Sequence, residues 1–115
     1  MKIIDNVVTD RGSKYAVSGG ECHSAEDAKA FIKELKRNKK FAKATHNTWG
    51  LICDDGAIKN DDGESGAGMV ILRMLERDEI NNQIVVVTRW YGGKHLGGDR
   101  FRHVQTCVRA YLDQL

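Results

Sequence analysis

The sequence predicts an α+β domain, one mixed sheet with helices packed on it in two layers. Three observations carry this. The candidate elements run in the order ββα, ββα, βα. The stretch "QIVVVT" at 83–88 is an unbroken, mostly β-branched run, as expected of a central strand covered on both faces. Two later segments carry apolar residues at helical spacing.

Each element has a local reason. "KIIDNVV" and "SKYAVSG" read as short strands, Ile3–Val8 and Lys14–Ser18, joined by the turn "TDRG" and closed by the pair Gly19-Gly20. "HSAEDAKAFIKELKRNKK" reads as one helix, with Ser24 as N-cap and Glu26 and Asp27 at the positive end of its dipole. Its apolar stripe is Ala28, Phe31, Ile32 and Leu35. "THNTWGLIC" reads as a strand, Asp54-Asp55-Gly56 as a hairpin turn, and "AIKN" as the return strand. The glycine-rich "DDGESGAG" reads as a loop. "MVILRMLERDE" reads as a buried helix with a stripe of Met69, Leu72 and Leu75. Phe101, Val104, Val108, Tyr111, Leu112 and Leu115 mark a last helix, with Asp99 as its expected N-cap.

The 115 residues fit one domain, 1–115, and 41% apolar with 30% charged residues fits an ordinary globule. No apolar run reaches the roughly 20 residues that span a bilayer. "MKIIDNVVTDRGSKY" holds no continuous apolar h-region of the secretory kind. Cys22, Cys53 and Cys107 are odd in number and far apart, which reads as reduced thiols in a cytoplasmic protein. No cofactor motif is present, and none is expected to be needed.

A net charge of +2 hides strong blocks. Residues 29–43 carry seven Lys/Arg against one Glu, and residues 54–64 carry five acids against one Lys. Residues 89–109 carry five Lys/Arg against one Asp. The helical face Lys29, Lys33, Lys36, Arg37 and Lys40 is therefore a candidate basic patch for a polyanion.

The second candidate is "RWYGGKHLGGDRF", a glycine loop between strand and helix. Exposed amides in such a loop suit an anion. The pattern is neither GxxxxGK[ST] nor GxGxxG, no hydroxyl residue follows Lys94, and Asp99 at the cap would compete for the same amides. Nucleotide hydrolysis is not expected. A weaker anion contact is, through Arg89, Lys94 and Arg100, with Trp90 and Tyr91 for stacking and Gly92, Gly93, Gly97 and Gly98 for the turn. Asp61, Asp62, Gly63 and Glu64 form an acidic loop whose spacing does not match a calcium loop, so no metal is expected. Its carboxylates are expected within salt-bridge reach of Arg89 or Arg100. His46 reads first as a structural hydrogen-bonder, and second as an acid or base beside Asp62 and Glu64.

Together "KFAKATHNTWGLI", "DDGESGAGMVILRML", "VVVTRWYGGKHLGGDRF" and "VRAYL" resemble the IMPACT/YigZ family, with a loop closer to the eukaryotic members. The resemblance implies a fold similar to domain 2 of ribosomal small-subunit protein five, including a left-handed βαβ crossover. Eukaryotic members regulate translation and bind the scaffold that activates the starvation kinase of initiation factor two. For bacterial members the usual suggestion is nucleic-acid or ribosome binding. The leading expectation is a non-catalytic domain linked to translation, engaging RNA, a ribosomal surface or a protein of that machinery. The alternatives are a small hydrolase using His46, Asp62 and Glu64, and a purely protein–protein module.

Overall fold

The computed structural model describes Met1–Leu115. Its elements are β1 (Lys2–Asp10), β2 (Ser13–Glu21), α1 (Ala25–Leu35), α2 (Lys39–Ala42), β3 (His46–Cys53), β4 (Gly56–Asn60), α3 (Ala67–Arg77), β5 (Gln83–Trp90) and α4 (Asp99–Leu112). The strands form one sheet in the order β1-β2-β5-β3-β4. The β-branched run is thus the central strand, and the α+β class with helices packed on one sheet holds.

Two particulars of the architecture differ from expectation. Every strand pair is antiparallel, so the sheet is not mixed. Helices also cover both faces, giving three layers. Side chains alternate along a strand, and here the alternation feeds two cores. Tyr15, Val17, Val85 and Val87 pack with Ile71, Leu75, Val104, Val108 and Tyr111 of α3 and α4. Ala16, Ile84, Val86, Trp49 and Leu51 pack with Ala28, Leu35 and Phe41 of α1 and α2.

This arrangement forces one unusual connection. β2 and β3 both run antiparallel to β5, so they are parallel to each other, linked by α1 and α2 on one face. β4 and β5 both run antiparallel to β3, so they are also parallel, linked by α3 on the other face. A half-turn in the sheet plane superposes the two units in strand direction and order, but leaves their helices on opposite faces. The two crossovers therefore have opposite hands, and one must be left-handed, against the strong general preference.

Local chemistry explains the boundaries. The β1–β2 hairpin turns on Arg11 and Gly12, at φ 46° and 84°, a two-residue loop with both residues left-handed. Ser24 caps α1 by accepting from the Asp27 amide. The expected single helix breaks after Leu35 because Asn38 leaves helical geometry and caps α2, accepting from the Lys40 amide at 3.0 Å. Asp99 is not the cap of α4. Gly98 takes that position, and the Asp99 carboxylate turns to Arg11 at 2.5 Å and Arg102 at 3.3 Å. Of the expected α3 stripe, Leu72 and Leu75 are buried and Met69 is exposed, while Ile71 and Met74 join the buried face.

Gly19 and Gly20 do not end β2; they pair with Val85 and Ile84 inside the sheet. A Cβ on Gly19 would stand 2.4 Å from the Tyr111 ring and 2.6 Å from the Ile84 carbonyl, so the ring of α4 fills that space. Gly19→Ala should cost about 2 kcal/mol or more through overpacking, read as a lowered urea midpoint at unchanged slope.

β1 is also tied to α4 through Asp10. Bonds from Arg11 and from His103 Nε2, the latter at 2.7 Å, hold its carboxyl down at about 2. A depressed acid contributes stability above its unfolded value and loses it as pH falls through the folded value. Stability should therefore fall between roughly pH 4 and pH 2. Asp10→Asn should flatten that part of the profile, measured by denaturant titration at a series of pH values.

Candidate functional site

The site is set by strand register. Arg89 on β5 stands directly opposite Tyr15 of β2 on one side and His46 of β3 on the other. All three side chains share the face covered by α3 and α4. Arg89 is almost wholly buried, and so is Glu64, which enters from the loop after β4. The Arg89 guanidinium donates to Glu64 Oε1 at 2.8 Å and Oε2 at 3.2 Å. It also donates to the Ser13 hydroxyl at 3.3 Å. Its carbon lies 5.7 Å from the Tyr15 ring centroid and 5.6 Å from that of Tyr91, close enough for cation–π attraction. Burial pushes the Tyr15 phenol up to about 12, so that ring stays neutral beside the cation.

His46 completes the assembly. Its Nδ1 donates to the Asp62 carbonyl at 2.8 Å, and its Nε2 lies 2.9 Å from Glu64 Oε2. A carbonyl only accepts, so Nδ1 carries a proton. Nε2 then meets the carboxylate either as a second N–H or through a proton on Glu64. Both ring nitrogens and both carboxyl oxygens are thus engaged in holding this assembly together.

The acidic loop serves mainly as backbone capping. Asp61 accepts from the Gly66 amide at 3.1 Å and the Gly68 amide at 2.8 Å, supplying the α3 cap that Gly66 lacks. Burial works against its charge, yet those amides together with the Lys59 ammonium outweigh it and hold the acid below its ordinary value. Asp62 accepts from the Asn47 amide at 2.7 Å and pairs with neither arginine. Gly63 turns at φ 86°, and a Cβ there would lie 3.1 Å from His46 Nδ1.

The glycine loop crosses the mouth of this assembly. Tyr91 N donates to Thr45 Oγ1 at 2.9 Å and Gly92 N to Ser13 Oγ at 3.2 Å. Gly92 is pressed against the β1–β2 turn, where a Cβ would fall 2.0 Å from Gly12 C. Gly93 and Gly97 take φ 92° and 56°. Between the two loops lies a cleft of ≈ 290 Å³ bordered by His46, Glu64, Arg89, Tyr91, His95 and Arg100. Arg100 forms no ion pair; its guanidinium carbon sits 4.7 Å from the Phe101 ring centroid.

Several expected site residues fall elsewhere. Trp90, next to Arg89 on the strand, points to the opposite face. There its Nε1 donates to Lys40 O at 2.9 Å and its ring meets Phe41 edge-on at 5.4 Å. Lys94 and Gly98 do not border the cleft. Lys40 leaves the basic patch: it pairs with Asp5 and lies 5.2 Å from the Trp90 ring. The other four bases of the patch, Lys29, Lys33, Lys36 and Arg37, line a separate groove of ≈ 500 Å³ with Ile32, Trp49 and Asn60. The two candidates thus lie on opposite faces of the sheet. Ser13, Tyr15, Thr45 and Trp49 were not foreseen as parts of either. Only the strand register reveals them, although the lone His95 between the glycine pairs was visible as a signal.

The molecule is an α+β domain in which a buried ion pair of Glu64 and Arg89 ties the acidic loop to the strand that leads into the glycine loop. Residues 11–112 match the model of the Impact N-terminal domain, and the chain belongs to that family. It is 39% identical to Protein IMPACT of Mus musculus over 111 residues, 91% of this chain and 35% of the relative. It is 40% identical to the IMPACT homolog of Caenorhabditis elegans over 114 residues, 92% of this chain and 44% of the relative. The chain therefore spans less than half the length of these relatives. Among solved structures, the two-domain translational regulator Yih1 is similar over 93% of this chain and 44% of its own, at 34% identity and a TM-score of 0.55. A crystal structure of a hypothetical protein superposes over 98% of this chain and 58% of its own at TM-score 0.83. Its 24% identity makes it a likeness of fold.

Removing one partner of a buried ion pair strands the other charge. Glu64→Gln should destabilise by about 3 to 5 kcal/mol, and adding Arg89→Met should recover part of that loss. Guanidinium unfolding of the single and double variants measures both.

Proposed function

We propose that this domain works in translational control as a binding domain without chemistry of its own, and that the groove beside α1 is its contact for RNA. Family membership and the likeness to a translational regulator support the first part. One observation carries the second: the groove offers cations and hydrogen-bond donors, with no carboxylate in its lining. Lys29, Lys33 and Lys36 form no ion pair. Trp49, 9% exposed, forms the floor, and its indole N–H has no acceptor within the protein. Asn60, whose side-chain carbonyl accepts from the Asp62 amide at 2.8 Å, also borders the groove. A basic lining without a carboxylate fits an acceptor-rich polyanion such as a phosphate backbone.

Replacing Lys29, Lys33 and Lys36 together by Gln should weaken RNA binding without altering sequence preference. The slope of log K against log salt should fall by about 2, since each single-strand phosphate contact contributes about 0.7. Fluorescence titration at several salt concentrations measures this, with circular dichroism confirming the fold. Absence of RNA binding at low salt, with salt-insensitive capture of a protein partner, would overturn the RNA contact and favour a protein–protein module.

A further inference from the structure

The cleft between the glycine loop and the acidic loop is chemically distinct from the groove, and it is donor-rich for different reasons. Its one carboxylate, Glu64, has both oxygens occupied by Arg89 and His46. The side chains of Arg100 and His95 border the cleft with no ion pair or hydrogen bond of their own. Arg89 is 6% exposed, borders the cleft, and keeps an Nε–H without any partner.

The loop backbone adds to this. None of the amides from Gly93 to Gly98 donates to a protein acceptor, whereas the amides on either side do. The amides that follow, at Asp99, Arg100 and Phe101, are used within the tight first turn of α4, bonding to Leu96, Gly97 and Gly98 carbonyls. The free donors therefore belong to the loop and not to the helix end. Asp99 would compete only as a cap, and its carboxylate is instead held by Arg11 and Arg102.

We infer that this cleft binds a phosphate monoester. The phosphate would sit on the His95–Gly97 amides with Arg100, and the ester substituent would lie against Tyr91. That ring is 44% exposed at the mouth, and ≈ 290 Å³ leaves room beyond the phosphate for a sugar or base. The same chemistry is offered by a free nucleoside monophosphate and by the 5′ end of an RNA. This inference does not depend on the groove beside α1.

The test is ¹H–¹⁵N NMR of the intact chain titrated with inorganic phosphate. A nucleoside monophosphate and a short RNA with a 5′-phosphate or a 5′-hydroxyl follow as further titrants. Shifts should concentrate on the amides of 93–98 and on the Arg100 side chain. Arg100→Gln should weaken binding about tenfold, the loss expected of one charge-assisted contact, with the rest of its spectrum unchanged. The triple lysine variant of the groove should bind phosphate like the parent, which separates the two sites. Equal binding of mononucleotide and 5′-phosphorylated RNA points to a free small ligand, and preference for the phosphorylated RNA over both points to an RNA end. Unmoved loop amides at millimolar phosphate, or equal affinity in Arg100→Gln, would overturn the site.

Discussion

The contact of Glu64 with Arg89 is the constraint on which the site end of the sheet depends. Two opposite charges removed from water are stabilising only when every remaining donor and acceptor finds a partner. Here His46, Ser13 and the Asp62 carbonyl provide most of that satisfaction. Each comes from a different segment, so the ion pair recruits β2, β3 and both loops into one arrangement. The next rung of the ladder is polar as well. Thr88 donates to Asn47 at 2.7 Å on the opposite face, and Asn47 donates to Phe41 O at 3.1 Å. This end of β5 is buried on both sides by specific hydrogen bonds, while its other end is buried by methyl groups.

The alternation of a strand separates the two candidate surfaces. Arg89 faces the cleft, and Trp90, one residue on, anchors the α2 segment behind it. The cleft therefore inherits a rigid floor, whereas Tyr91 and His95 of its rim stand on a loop and Arg100 stands on the first turn of α4. The groove beside α1 has the reverse design, with long flexible lysines around a nearly buried indole. A rigid pocket suits one small group in fixed geometry. A fringe of mobile cations suits a chain of charges whose positions vary.

Much of this was legible in the sequence. The β-branched run announced the central strand, and opposite charge on two glycine-rich loops announced their meeting at Glu64 and Arg89. What was not legible depended on pairing. Sequence periodicity places Ala28 and Leu35 on one side of a helix, but not that helix on one side of a sheet, so the third layer was missed. Gly19-Gly20 looked like a strand end because the ring that fills their space arrives from Tyr111, far along the chain. Asp99 had the composition of a cap, but Arg11 and Arg102 attract it more strongly than the helix amides do. Asn38 broke a helix whose charge pattern continued across it, because side-chain capping is stronger locally than periodicity.

The strand order also sets the sequence in which the molecule is completed during synthesis. The hairpins β1–β2 and β3–β4 are contiguous in the chain, yet they share no strand pairing; β5 lies between them and is the last strand to be made. Two-stranded hairpins are marginal in water by themselves. A nascent chain that has not yet exposed residues 83–90 therefore holds two unjoined hairpins with their facing edges open. The stretch from β5 to α4, residues 83–112, both joins the sheet and covers it, so until that stretch has been made the facing edges of the two hairpins stay open to association with neighbours.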